Sequence, residues 1–293
     1  MKGWVIFGLL GPALIASVLC VVPAAGTATT HARIDSLNGL GRGFLFDNIE
    51  KSARLYGEVA EESRALGYRE GEARALQIQG IALYLAGDYE EGVEASLRAV
   101  RLFEELDLRH ELAMTYGELG HQMKRRNMPR AMEFMLRGIA IAEAEADSFA
   151  LCTLYDNFGV LHEISAQLDS AGIYYQRGLD FKTALDDSFG IPFSLAHLSG
   201  LAALEGRMDE AQDLLRLSDA YRTANRDTFG LLQNSVQWAE MNYQQGDLAA
   251  AAEGYERSLD IPAIFEHDNM VSYCYEPVSY THLTLPTKRM GGG

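Results

Sequence analysis

GDYEEG at residues 87–92, GRMDEA at 206–211 and GDLAAA at 246–251 share one pattern, a polar turn that begins with glycine and leads to a small residue. The final residues of the last two copies are forty positions apart. The same slot recurs along the chain at Gly92, Ala131, Ala171, Ala211 and Ala251. A fixed period of this length predicts a protein built from structural repeats.

Two further columns of small residues follow the same period, with steps of 39 or 40. They are Gly80, Gly120, Gly159, Ser199 and Ala239, and Ala99, Gly138, Gly178, Ser218 and Ser258. Apolar residues between the columns recur at three- and four-residue spacing, which indicates helices. A small residue at a fixed place lets a partner helix approach closely. Each repeat is therefore predicted to be a pair of helices joined by a short turn.

A second tetrapeptide repeats as DSFA at 147–150, DSFG at 187–190 and DTFG at 227–230. Asp, Ser and Thr are favoured N-cap residues, so each copy predicts the start of a helix. Calcium binding by these acidic loops is the alternative, but they lack the ligand density of a calcium loop.

These columns resemble the tetratricopeptide repeat (TPR), which has a small residue eight places into helix A and a large apolar residue before helix B. Helix A shows it as LGH (119–121), FGV (158–160) and LSG (198–200). The entry to helix B shows it at Tyr89, Met128, Leu168, Met208 and Leu248. The period exceeds the usual one of about 34 and resembles the extended repeats of kinesin light chains and bacterial sensor proteins. The resemblance implies an all-α fold, a TPR-like α-solenoid of antiparallel helix pairs in a right-handed superhelix.

The repeat register divides the chain into four parts. Residues 47–276 are predicted to form the solenoid, with a half repeat, five full repeats and the start of a truncated further repeat. The solenoid is preceded by a targeting segment at residues 1–28 and a linker at residues 29–46. It is followed by a tail at residues 277–293.

The N-terminus combines Lys2, an apolar run over residues 4–22 and the small residues PAAGTATTHA. This is the layout of a secretory signal peptide, which predicts a periplasmic or secreted protein. The alternative is an uncleaved anchor in the inner membrane, since about 20 apolar residues can span a bilayer.

The tail breaks the repeat pattern. The next helix A should begin near Asp268, but Pro277 follows within that helix, and proline inside a helix costs about 3 kcal/mol. Residues 278–287, VSYTHLTLPT, resemble a translated sequencing-library adapter. We therefore expect the tail to be non-native and exclude it from the fold prediction.

The net charge of −16 makes nucleic-acid binding unfavourable, because an acidic surface repels phosphate. Cys152 and Cys274 are six helices apart in the repeat register, so no intrachain disulfide is expected. Membrane contact is expected only through the N-terminal segment, if that segment is not cleaved.

The TPR resemblance also implies a ligand groove, because helix A lines the concave face in that family. The corresponding positions predict a peptide or protein partner held by Gln77, Tyr84, His121, Lys124, Arg125, Asp156, Asn157, Glu163, His197, Gln237, Glu240 and Tyr243. Asn157 occupies a position where the family often binds a ligand backbone. The lysine and asparagine pairs of chaperone-tail binders are absent from the matching positions.

Motifs for catalysis are absent: the chain has no HExxH, no GxSxG and no P-loop. The glycines of NGLGRG (38–43) lack the spacing of a phosphate loop. His121 and His162 lie one repeat apart without a convincing third ligand, so zinc is not expected. We predict a protein that is not an enzyme and has no cofactor and no metal.

The sequence thus favours an exported interaction scaffold that binds a peptide or protein on its concave face. The alternative is the extracytoplasmic sensor portion of a truncated signalling receptor. In that case a histidine kinase, a diguanylate cyclase or a transcriptional regulator would follow.

Overall fold

The computed structural model describes residues 30–45 and 48–258, and helices make up most of this part. In chain order they are α1 Thr30–Leu45, α2 Ile49–Ala65, α3 Arg69–Ala86, α4 Tyr89–Glu105, α5 Arg109–Met123, α6 Met128–Ala144, α7 Ser148–Ile164, α8 Leu168–Ala184, α9 Ile191–Leu204, α10 Met208–Ala224, α11 Thr228–Gln245 and α12 Leu248–Ser258. The described ranges contain no strand, which confirms the all-α prediction.

The helices form five successive hairpins, α3–α4, α5–α6, α7–α8, α9–α10 and α11–α12. The two helices of each hairpin pack against each other, and each second helix also packs against the first helix of the next hairpin. First helices of neighbouring hairpins touch as well, as α5 and α7 do. Helix α2, which precedes the first hairpin, packs on α3. The first helices therefore line one face of an α-solenoid, which is the face that carries the predicted groove.

The glycine-led turns have a backbone reason. Gly87, Gly206 and Gly246 follow the first helices of their hairpins with φ of 95°, 78° and 84°. Such left-handed conformations end helices at little cost when the residue has no Cβ. Ala166 takes the same slot in the third hairpin with φ of 56°, so the local backbone is strained there.

Two of the three repeated aspartates, Asp147 and Asp227, are N-caps as predicted, whereas Asp187 lies in the turn before α9, whose N-cap is Gly190. The Oδ1 atoms of Asp147, Asp187 and Asp227 accept hydrogen bonds from backbone N–H groups three residues later at 3.0, 2.9 and 2.8 Å. In α7 and α11 this bond satisfies one amide that the first turn of a helix leaves without a partner. The Asp187 bond to Gly190 stabilises the turn that leads into α9.

The columns of small residues mark close helix contacts. A Cβ on Gly80 would lie 2.9 Å from the carbonyl oxygen of Gly92, and a Cβ on Gly138 would lie 2.7 Å from that of Ala113. No real Cβ fits at these distances without movement of the backbone. The small residues are therefore required where the helices of a hairpin cross.

The predicted linker over 29–46 is corrected by the structure, because Thr30–Leu45 forms helix α1. Ile34 of this helix is fully buried in the same apolar cluster as Tyr56. The hydroxyl of Tyr56 donates to the carbonyl oxygen of Leu37 at 2.8 Å. Helix α1 covers apolar surface at the start of the solenoid, and this burial outweighs the weak helix propensity of its glycines.

Several predictions lie outside the described residues. These are the signal peptide or anchor at 1–28, the last part of the solenoid at 259–276 and the non-native tail at 277–293. Within residues 30–45 and 48–258, no helix has the combined length and apolar character needed to cross a bilayer.

Candidate functional site

A small groove, with about 40 Å³ of space for water-sized molecules, opens on the face of the first helices. Side chains of α7, α9 and α11, the first helices of three successive hairpins, line it: Glu163, His197, Ser199, Gly200, Ala203, Leu204, Gln237, Glu240, Met241 and Gln244. Four of the predicted groove residues, Glu163, His197, Gln237 and Glu240, are thus brought together.

The imidazole of His197, one of the residues that line the groove, stacks on the buried ring of Tyr175. The two rings are parallel within 6°, with centroids 4.5 Å apart. Burial, followed by the positive charges of Lys182 and Arg222, lowers the pKa of His197 to about 3. The imidazole is therefore neutral at physiological pH and adds no positive charge to the groove.

Glu163 lies at the C-terminal end of α7 and also contacts Tyr175. Its carboxylate accepts a hydrogen bond from the Tyr175 hydroxyl at 2.6 Å. Burial raises the pKa of Glu163, and the bond from Tyr175 partly opposes that shift. A carboxylate held in a partly dry environment gains more from a charged ligand than an exposed one does.

Helix α11 supplies the third side of the groove. The Oε1 atom of Gln237 is buried and accepts no hydrogen bond from the described part of the chain. Glu240 is 7% exposed and accepts a hydrogen bond from the Tyr255 hydroxyl at 2.9 Å. Tyr243, one turn further along α11, is 59% exposed and is not among the residues that line the groove.

The predicted groove residues of the first two hairpins form a separate group. Gln77 donates to Glu118 at 3.1 Å across neighbouring first helices. The rings of Tyr84 and His121 meet edge to face, with centroids 6.0 Å apart. This group lies on the same series of first helices, α3 and α5, but does not line the pocket at α7, α9 and α11.

A lysine and an arginine follow this first group. Lys124 is 3% exposed, and its Nζ lies 2.8 Å from Nε2 of His121, whereas Arg125 is exposed. Burial, and then the charges of Lys124 and Arg125, lower the pKa of His121 well below its usual value. Arg125 is therefore the more accessible cation of the two.

Asp156 is corrected by the structure, because it faces the interior rather than the groove. It is 7% exposed and accepts hydrogen bonds from Lys182 of α8 and from the Ser194 hydroxyl of α9, the latter at 2.9 Å. The prediction failed because the helix A register does not show which polar residue the next repeat covers. Asn157, the next residue, is half-buried and does not line the groove.

The sequence did not reveal a second buried charge, that of Arg222. Its guanidinium is 2% exposed, donates to the capping Asp227 at 2.7 Å and lies 4.5 Å from the ring centroid of Phe193. This arginine ties α10 to the first turn of α11. Its local sequence, with Tyr221 before it and Thr223 after it, gives no sign that its charge is buried.

The sequence also missed several lining residues: Ser199, Gly200, Ala203, Leu204, Met241 and Gln244. Ser199 belongs to a column of small residues, and that column could have indicated a close approach of helices. Gly200 has no side chain and so leaves space open in the groove, because a Cβ there would meet only the Gln237 side chain, at 3.9 Å.

The described part of the chain contains no cluster of side chains that could form a metal site. No group of three or more His, Cys, Asp or Glu side chains there is placed to hold an ion. The carboxylates of Asp147, Asp187 and Asp227 already accept hydrogen bonds from backbone N–H groups.

Comparison with known proteins gives one curated relative and several solved structures. No protein-family model matches the chain. Response regulator aspartate phosphatase I of Bacillus subtilis (strain 168) is 25% identical over 219 residues, covering 71% of this chain and 54% of the relative. The chain thus spans about half the length of this curated relative.

Two solved structures illustrate the likeness in fold. A Rap protein complexed with Competence and Sporulation Factor has a TM-score of 0.65 at 12% identity, over 86% of this chain and 78% of that one. A kinesin light chain of Podosopora anserina with nearly identical TPR-like repeats has a TM-score of 0.52 at 16% identity. The match covers 67% of this chain and 97% of that one. With the helix hairpins described above, these comparisons show that the chain has the fold of a TPR-like α-solenoid.

Proposed function

We propose that the groove between α7, α9 and α11 binds an extended peptide or an extended segment of a partner protein. The observation that carries this proposal is the convergence of Glu163, His197, Gln237 and Glu240 from three successive repeats on one open groove. Repeat proteins contact only neighbouring units, so their first helices present a long continuous face that suits an extended ligand. The role is one of binding and not of catalysis.

The comparisons support this proposal at the level of fold. The Rap protein with the same fold was crystallised with Competence and Sporulation Factor, so a related solenoid holds another molecule. At 12% identity, the likeness to this Rap protein shows a shared fold but does not identify a partner for this chain. The partner of this chain is therefore proposed only as a class, a peptide or protein.

We also propose that the protein acts outside the cytoplasm, either as a free scaffold or as the sensor portion of a larger receptor. The support is the N-terminal sequence, with Lys2, the apolar run over 4–22 and the small residues after it. Cell fractionation, with N-terminal sequencing of the recovered protein, tests this. Recovery from the cytoplasm with an intact N-terminus would overturn it.

The binding proposal is tested by filling the groove. Gly200→Leu places a side chain in the open space without removing any polar group, whereas Gly39→Leu adds the same side chain to an exposed helical position with nothing within 4 Å. A randomised hexapeptide library is passed over the immobilised full chain. We expect the original protein and Gly39→Leu to retain peptides and Gly200→Leu to lose most of them. Equal retention by Gly200→Leu, or no retention by the original protein, would overturn the proposal.

A further inference from the structure

The groove between α7, α9 and α11 contains more hydrogen-bond acceptors than donors. Glu163 and Glu240 bring two carboxylates, and the buried Oε1 of Gln237 accepts no hydrogen bond from the described residues. Among the described residues, Glu163 forms no ion pair, and Tyr175 alone donates a hydrogen bond to it. A buried acceptor such as Gln237 Oε1, which receives no donor from the described residues, is stabilised by a donor from a ligand.

Positive charge is missing from the lining residues. No lysine or arginine is among them, and the only titratable base, His197, lies against Tyr175 as a neutral ring. Lys182 and Arg222 are engaged with Asp156 and Asp227 inside the solenoid. The groove therefore has a local excess of negative charge, on a protein whose net charge is −16. Such a field attracts cations and repels anions.

We infer that this groove receives the positively charged end of a lysine or arginine side chain of the bound peptide. The inference rests on the proposed function and specifies what the peptide must carry. The cation would meet the carboxylates of Glu163 and Glu240 and the amide oxygen of Gln237, while its aliphatic stem would lie along Met241 and Leu204. Long basic side chains pack their stems on apolar surface in this way.

The experiment uses the same hexapeptide library and the full chain, and it reads the sequences of the retained peptides. The pocket variants are Glu163→Gln and Glu240→Gln, which keep the shape of each side chain and its acceptor for Tyr175 or Tyr255. The matched control is Glu90→Gln, at an exposed position in the first turn of α4. Circular dichroism and Tm establish that each variant is folded.

The original protein and Glu90→Gln should enrich lysine or arginine at one peptide position. Each pocket variant should lose that enrichment while still retaining peptides. A resynthesised peptide with citrulline in place of arginine, or norleucine in place of lysine, should bind about tenfold or more weakly, as expected for loss of a charged hydrogen bond.

Two results would overturn the inference. Retained peptides without a basic position, or with a basic position that both pocket variants keep, would refute the cation site and leave the binding proposal intact. No retained peptide with any protein would refute the proposed function and the cation site with it.

Discussion

Lys182 forms an ion pair with Asp156 inside the solenoid, and the side chains of the two residues are only 6% and 11% exposed. The hydroxyl of Ser194 accepts from Lys182 at 2.8 Å and donates to Asp156 at 2.9 Å, so the pair joins α7, α8 and α9. Burial raises the pKa of Asp156, and the charge and hydrogen bonds of Lys182 oppose that shift. The pair is a polar connection between the third and fourth hairpins.

Removal of one partner of this pair should strongly destabilise the protein. Asp156→Ala leaves the Lys182 ammonium buried without its carboxylate, and we expect a loss of about 3–5 kcal/mol in the free energy of unfolding. Urea denaturation measures the loss. Asp213→Ala, which removes an exposed partner of Arg216, is the control and should cost at most about 1 kcal/mol. Equal losses in the two variants would contradict the interpretation.

Relief of backbone strain at Ala166 should stabilise the fold. This residue has φ of 56° in the slot where Gly87, Gly206 and Gly246 stand in other hairpins. A left-handed alanine costs roughly 1–2 kcal/mol, and the extra freedom of glycine in the unfolded chain returns about 0.5–1 kcal/mol. Ala166→Gly should therefore raise the free energy of unfolding by up to about 1 kcal/mol.

The reverse change checks the same argument. Gly206→Ala places a Cβ on a residue with φ of 78° and should lower the free energy of unfolding by about 1 kcal/mol. Thermal and urea denaturation of both variants measure these changes in the free energy of unfolding. Changes of the same sign in Ala166→Gly and Gly206→Ala would contradict the account of the turns.

Two glycines inside helices should respond oppositely to alanine. A Cβ on Gly138 would lie 2.7 Å from the carbonyl oxygen of Ala113, so Gly138→Ala should push α5 and α6 apart and cost about 1–3 kcal/mol. The nearest atom to a Cβ on Gly172 is 3.7 Å away, so Gly172→Ala should gain up to about 1 kcal/mol from helix propensity. Urea denaturation of the pair is the measurement, and a stabilised Gly138→Ala would show that the contact is not restrictive.

Acid should destabilise the fold partly through His197. Its pKa is lowered from 6.5 to about 3, so within this window the unfolded chain binds a proton that the folded chain does not. The free energy of unfolding should therefore fall as the pH drops from 6.5 toward 3.

The variant His197→Gln isolates that contribution, because glutamine does not titrate. Its Tm should fall less steeply than that of the original protein across the same pH window. His31→Gln, at an exposed position of α1, is the control and should retain the steeper fall. Identical slopes for His197→Gln and the original protein would exclude a buried neutral imidazole.

Much of the fold could be predicted from the sequence, because the signals are local and repeated. The glycine-led turns and the repeated aspartates each occur three times, and each column of small residues has five members, so repetition reinforces every one of these local patterns. Helix α1 was missed because its glycines weaken the helix signal. Only the burial of Ile34 against the following helices explains why it forms.

The groove could be predicted only in part. Counting along helix A placed Glu163, His197, Gln237 and Glu240 on one face, and the structure brings these four together. The same counting placed Asp156 there, seven residues from Glu163 on the same helix, although Lys182 and Ser194 hold it inside.

The sequence by itself therefore determined the hairpin, its turns, its caps and the period at which it repeats. Helix propensity, capping and close packing within a hairpin depend on residues near one another in the chain. Only the tertiary structure decided which polar side chains are buried as ion pairs and which face the groove. Lys182 pairs with Asp156, which lies 26 residues earlier in the chain. That contact depends on how successive helices pack.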